Sequence, residues 1–436
     1  MPSGRHPAPH FAMRSSIVKP QVRSSLIRCV ALCLGAALAF PAVCADNSAL
    51  AELLKILRDK GTLTESEYQA LVQAAAGDSS KAAADSTAVA AVTDKVDAMA
   101  WAGKIKLTGD MRNRYERIAN DGQQDRSRAR LRYRLGIIAN PAEQIEVGAG
   151  LASGSADPRS SNQTFSDAFS SKNISLHYAY TQVSAPLAAG NLKAIAGKFR
   201  VGDYLWMTND VLWDSDVTPE GLSLDYAINS GLGTTFVNAG VWVLGEFGST
   251  SNDPYIRYGQ IGQKVGADNL FATVAATYYN FSKIRPGVSG GLRGGNIGTF
   301  SAGSNTDYRF DAVAFDAELG SKHLFGGDWA GSVFGNVINN TDTNSRQDKG
   351  YSLGAKLGKG ALGFKYIYAN LDANGFPDIF PDSDRFGGAT DMRSHELEVQ
   401  YKIHKNVTVG LDYYHNERKS LGTKQDLLQT DISVTF

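Results

Sequence analysis

The strongest constraint on this chain is a rhythm of links. From Gly103 onward, segments of about ten residues alternate apolar and polar side chains, and turn residues separate them. These runs lie near 104–116, 125–139, 145–153, 174–184, 191–199, 219–228, 234–244, 255–262, 270–281, 308–320, 329–339, 350–358, 361–371, 392–402, 407–416 and 427–436. Short links at 140–143, 186–190, 229–233, 359–360 and 404–406 take turns with longer ones at 154–173, 200–218, 282–307, 372–391 and 417–426. A barrel crossing a bilayer has short turns at one rim, long loops at the other and, in bacterial single chains, an even strand count. A soluble sandwich or propeller has no reason to keep that rhythm. The fold class read from the sequence is therefore all-β: an antiparallel transmembrane β-barrel of about 16 strands over 103–436, preceded by a short periplasmic α-helical segment.

The second run fixes the faces. Arg126, Arg128, Arg130, Arg132 and Arg134 occupy one side, with Ala129, Leu131, Tyr133 and Leu135 on the other. An arginine facing lipid at mid-depth costs about 2–4 kcal/mol, so a row of them must face water. The first run agrees, because Arg112 and Arg114 alternate with Met111 and Tyr115. Together these seven arginines are expected to line a basic wall of the lumen. The strands alone fit a soluble sheet with one solvated face equally well. The start of the chain and the link rhythm decide between them.

That start reads as a secretory signal over 1–45. Basic residues precede the apolar run Cys29–Phe40, and Val43-Cys44-Ala45 puts small residues before Asp46. Met13 is an alternative start. Lys+Arg and Asp+Glu are both 44, and cleavage after Ala45 removes Arg5, Arg14, Lys19, Arg23 and Arg28, leaving 39 − 44, or −5. All three cysteines leave too, which excludes disulfides, thiolate metal sites and cysteine nucleophiles. No run of about 20 apolar residues follows, so membrane crossing falls to strands.

Residues 46–76 read as a helical hairpin. Leu50, Leu53, Leu54 and Leu57 share a helix face, and Thr64 with Glu67 forms a capping box for the second helix. Residues 77–102 are a linker or a short coiled coil, given the spacing of Val89, Val92, Val96 and Met99.

Three stretches carry a family resemblance: 53–72, the arginine strand 127–136, and Val211 to Leu222 with its Leu212-Trp213-Asp214-Ser215-Asp216 core. Together they resemble the proteobacterial putative porin family, related in style to the phosphate-selective porins. The resemblance implies a porin, and a trimer as its assembly; it names no solute.

The third long link carries Asp203, Asp210, Asp214 and Asp216, with Glu220 just beyond, and Trp206 and Trp213. Folded inward opposite the arginines, these acids would act as a constriction loop and set a field across the pore. Folded outward, they would be a solvated loop. Asp378, Asp382, Asp384 and Asp391 read as a second acidic loop, solvated at the outer rim.

Phe436 ends an amphipathic last strand, a pattern that resembles the signal read by the barrel-insertion machinery. No catalytic constellation, metal or cofactor is expected. The neighbours His395 and Glu396 pair by chance spacing, and no helix follows the glycines at 290–295 to make a nucleotide site. The leading function is a passive channel for small hydrophilic solutes or ions, with anions preferred. Its rivals are a plugged barrel serving as an adhesin or structural protein, and a barrel enzyme. Expected partners are outer-membrane lipid and lipopolysaccharide, the insertion machinery and further copies in a trimer, with no nucleic acid.

Overall fold

The computed structural model describes residues 104–154, 157–246, 253–282, 310–342 and 346–436, with short pieces between 54 and 73. The signal segment 1–45, the segment 77–102 and the link 283–309 lie outside the described residues. Among the short pieces, residues 65–69 and 71–73 are helical. The box at their start is formed: the Thr64 amide donates to the Glu67 carboxylate at 2.9 Å, and the Glu67 amide to Thr64 Oγ1 at 3.4 Å.

From Ile105 the chain is strand after strand: β1 (Ile105–Asn120), β2 (Arg126–Ala142), β3 (Ile145–Ser153), the two-residue β4 (Gln163–Thr164), β5 (Ile174–Leu187), β6 (Gly190–Lys198), β7 (Glu220–Ser230), β8 (Gly233–Val243), β9 (Tyr255–Gly266), β10 (Leu270–Ser282), β11 (Phe310–Leu324), β12 (Trp329–Asn340), β13 (Lys349–Lys359), β14 (Leu362–Leu371), β15 (Met392–His404), β16 (Val407–Arg418) and β17 (Lys424–Thr435). Each long strand pairs antiparallel with its chain neighbours, and β1 pairs with both β2 and β17. Sixteen strands thus close into a ring with no free edge. β4 only extends the pairing of β2 above the short β3, at Arg130–Thr164 and Leu131–Gln163. The link expected to be long at 417–426 is shorter, since β16 runs to Arg418 and β17 starts at Lys424.

Alternation sets the two faces. Leu107, Met111, Tyr115, Leu353, Leu397 and Ile432 are exposed on the outside, while Arg112, Arg114, Ser394, Asp412 and Ser433 are buried inside. The seam of the ring is tied by the chain end. The Gly109 amide donates to the Phe436 carbonyl at 2.8 Å, and the Phe436 amide returns a bond to the Gly109 carbonyl at 3.0 Å. A Cβ on Gly109 would stand 2.5 Å from the Phe436 ring, so glycine is what lets the terminal aromatic lie on β1.

The lumen is not a uniformly wet tube. The inner faces of β8 to β12 and β14 carry Trp242, Ile256, Tyr258, Tyr279, Phe281, Phe310, Phe334, Ile338 and Ile367, all buried. Water against such a wall is unfavourable, and the chain covers it with its own loops. The link between β6 and β7 turns inward and lays Phe199, Val201, Leu205, Met207, Leu212, Trp213 and Val217 on that wall. The link between β14 and β15 adds Phe376, Ile379 and Phe380. Trp213 is the hub, fully buried, with ring centroids 5.4 Å from Trp242, 5.4 Å from Phe376 and 4.5 Å from Phe380.

Trp213→Ala removes a buried aromatic worth about 3–5 kcal/mol, so the inward link should lose its anchor. Limited proteolysis within 199–219 should become rapid while the barrel band on a gel survives. Gly109→Val forces the Phe436 ring away at about 1–3 kcal/mol. The fraction of compact, SDS-resistant protein in an unheated gel should fall relative to wild type.

Candidate functional site

The candidate site is the charged side of the lumen, where β1, β2, β16 and β17 meet the two inward links. Register sets it up. Arg112 lies opposite Arg132, and Arg114 opposite Arg130, across the β1–β2 ladder. Arg114 also lies opposite Asp431 across the seam to β17. Strand alternation points all of these inward, so like charges crowd and each needs an acid.

The acids come from both the wall and the links. Arg114 holds Asp431 in a two-pronged pair, Nε to Oδ1 at 2.8 Å and Nη2 to Oδ2 at 2.7 Å, and reaches Asp384 of the second link at 3.3 Å. Asp110 accepts from Arg132 Nε at 2.9 Å and Arg134 Nε at 2.6 Å. Arg134 Nη1 also donates to Asp216 of the first link at 3.1 Å. Arg112 Nη2 donates to Asn162 at 2.6 Å and stands 3.6 Å from Asp431. Glu116 takes both Arg128 and Arg130, the latter at 3.3 Å. Arg126 differs from its neighbours: it is exposed, at the start of β2 on the loop rim.

The acids expected in the constriction loop separate into distinct environments. Asp216 accepts from the Ser161 amide at 3.0 Å and its hydroxyl at 2.9 Å, besides Arg134. Burial pushes its carboxyl up, but Arg134, Arg132 and those Ser161 bonds outweigh burial and hold it below the usual carboxylate range. Asp214 joins the two links: its Oδ2 accepts from the Ser383 amide at 2.9 Å, and its own amide donates to the Phe380 carbonyl at 2.7 Å. Burial, with Asp382 and Asp216 nearby, raises the Asp214 carboxyl well above its ordinary value. Asp210 reaches Arg385 at 3.4 Å, and Arg385 also grips Glu396. Asp203 is exposed to the lumen on the turn side of the link. Glu220 sits elsewhere. It begins β7 on the outer face and pairs with Lys198 at 2.9 Å, because the extended run from Glu220 turns alternate residues outward.

Two expectations need correction. The acids Asp382, Asp384 and Asp391 do not form a solvated outer loop: each is buried inside the barrel. Apolar residues drag them in, since Phe376, Ile379 and Phe380 in the same link belong on the apolar wall. Likewise, the first link does not face the arginines across a gap. It docks on them, so Asp216 is in direct contact with Arg134. His395 and Glu396, adjacent in sequence, point to opposite faces, His395 outward beside Tyr366 and Glu396 inward on Arg385.

Sequence reasoning missed Arg385, Arg159 and Asp431 as partners in this network. Arg159 donates to the Asp378 and Gly388 carbonyls, both at 3.1 Å, and so helps hold the second link. For Arg385 the signal was faint, a lone arginine in a link otherwise rich in acid.

Residues 118–292 match the family described as "Putative porin". No curated protein matches the chain. Among solved structures, OprB of Pseudomonas putida, determined at high pH, is 14% identical over 76% of this chain and 94% of that one, with a TM-score of 0.51. A triple mutant of Rhodopseudomonas blastica porin is 11% identical, with coverage of 76% and 100% and a TM-score of 0.42. Residues 118–292, carried on a closed sixteen-stranded barrel, are thus similar to the family of putative porins.

Proposed function

We propose that the protein is an outer-membrane porin, a passive channel for small hydrophilic solutes or ions, and not an enzyme. The observation that carries this reading is the closed ring with an apolar outside and a charged lumen narrowed by two of its own links. Such a ring satisfies every strand amide in lipid and keeps the arginine row of β1 and β2 inside. In this reading residues 1–45 are removed as a signal peptide, 46–76 and 77–102 lie in the periplasm, and 103–436 span the outer membrane. Lipid and lipopolysaccharide bathe the outer wall, the insertion machinery reads the Phe436 strand, and three copies assemble.

The finer reading is a preference for anions. Its support is local stoichiometry: Glu116 is shared by Arg128 and Arg130, and both arginines keep part of their surface open, 21% and 12% of their side chains. The remaining inward arginines are matched by Asp110 and Asp431 of the wall and by Asp216 and Asp384 of the two links, so their field is largely neutralised. Planar bilayers with a salt gradient test this. Wild type should show a reversal potential on the chloride side. Arg128→Gln with Arg130→Gln should lower the chloride-to-potassium permeability ratio roughly twofold or more, since charge at a narrow point weights ion entry. An unchanged ratio would remove these two arginines from the conduction path, and a protein that carries no current would be a plugged barrel.

A further inference from the structure

On the turn side of the first inward link, the lumen holds a cavity of about 430 Å³ between β2, β3, β5, β6 and residues 200–204. Its floor is built with care. A Cβ on Gly150 would lie 2.3 Å from the Tyr178 ring, one on Gly148 2.5 Å from the Tyr180 ring, and one on Gly136 1.8 Å from the Tyr178 hydroxyl. Three glycines thus let two tyrosine rings press against the wall instead of projecting from it into the cavity. Tyr204 of the inward link stands at the cavity's edge, its hydroxyl donating to Gln182 at 2.9 Å. The Tyr178 hydroxyl is buried with no hydrogen-bond partner, although the side chain is only 4% exposed. A buried hydroxyl without a partner is costly unless something supplies one.

The charges around this floor are balanced. Lys193 and Arg200 supply two cations, with the Arg200 guanidinium 5.1 Å from the Tyr178 ring centroid. Glu146 and Asp203 supply two carboxylates, and the Tyr180 hydroxyl donates to Glu146 at 2.8 Å. A simple anion would satisfy Lys193 and Arg200 and meet repulsion from both acids. A simple cation would meet the converse. The volume lies within the range of about 300–1,000 Å³ usual for small-molecule sites.

We propose that this cavity is a binding station for a small zwitterion with a flat ring, of the size of an aromatic amino acid. The carboxylate goes to Lys193 and Arg200, the ammonium to Asp203 and Glu146, and the ring to the tyrosine floor, where offset or edge contacts are favourable. The station lies on the solute path only if the channel reading above holds, but binding itself does not require conduction.

The test uses the purified full-length mature protein and four probes: phenylalanine, N-acetylphenylalanine, phenylalanine methyl ester and alanine. Calorimetry in detergent reads binding whether or not the protein conducts, and current interruption in bilayers reads it in the open channel. Phenylalanine should bind at least tenfold more tightly than the other three. Lys193→Met and Asp203→Asn should each weaken it about tenfold. Equal affinity for the four probes, or no effect of the Lys193 and Asp203 changes, overturns the proposal. A protein that conducts but ignores phenylalanine fails this proposal alone; one that binds phenylalanine but never conducts fails the channel reading alone.

Discussion

Everything in this structure depends on closing the backbone hydrogen-bond ladder. A strand in hydrocarbon has no water to satisfy its amides, and each unmet group costs several kcal/mol. The pairing of β1 with both β2 and β17 removes the last free edge. The seam is fastened by Phe436, whose backbone exchanges two bonds with Gly109. Because that closure is made from main chain, the side chains are free to divide labour, apolar outward and polar inward, at the period of two that a strand imposes.

Inside the ring, two forces arrange the links. One is apolar: a wall of aromatic and aliphatic groups over β8 to β12 recruits Trp213, Phe376 and Phe380. The other is ionic: the arginines of β1 and β2 recruit Asp216 and Asp384 from the same two links. Neither suffices alone. Buried ion pairs regain at best what their desolvation costs, so they set where the links dock more than how tightly. The aromatic contacts supply the tightness. The outcome is a lumen asymmetric across its width, dry and packed on one side, ionic on the other. Contacts between the links, such as Ser383 to Asp214, tie the two sides together.

The strands were legible in the sequence because alternation and turn residues are local signals. All sixteen expected runs match a strand, and the arginines from Arg128 to Arg134 fall on the inner side. What the links do was only half legible. Acids in 200–218 stood out, yet their pairing with particular arginines depends on strand register around a closed ring, which no local pattern encodes. The reading of 372–391 as solvated gave weight to Asp378, Asp382, Asp384 and Asp391 and too little to Phe376, Ile379 and Phe380, three large apolar groups within five residues of a loop. Such a loop has to bury them somewhere. The glycines under Tyr178 and Tyr180 carried a signal as well: Gly136, Gly148 and Gly150 share the inner face of adjacent strands, where missing side chains make room for a neighbour's ring. Glu220 was grouped with the acids of the link, although the expected run 219–228 already holds it on a strand, where alternation with the buried Ser223 turns it outward.

The most direct test of the central claim is the environment of alternate residues along one strand. Residues 46–436 contain no cysteine, so single cysteines can be placed at Leu397, Glu398, Val399, Gln400 and Tyr401 of β15 and spin-labelled in bilayers. Collision with lipid-soluble oxygen should be high at Leu397, Val399 and Tyr401 and low at Glu398 and Gln400, a period of two. Uniform accessibility to a water-soluble relaxant at all five positions would contradict a barrel whose outer wall is in lipid.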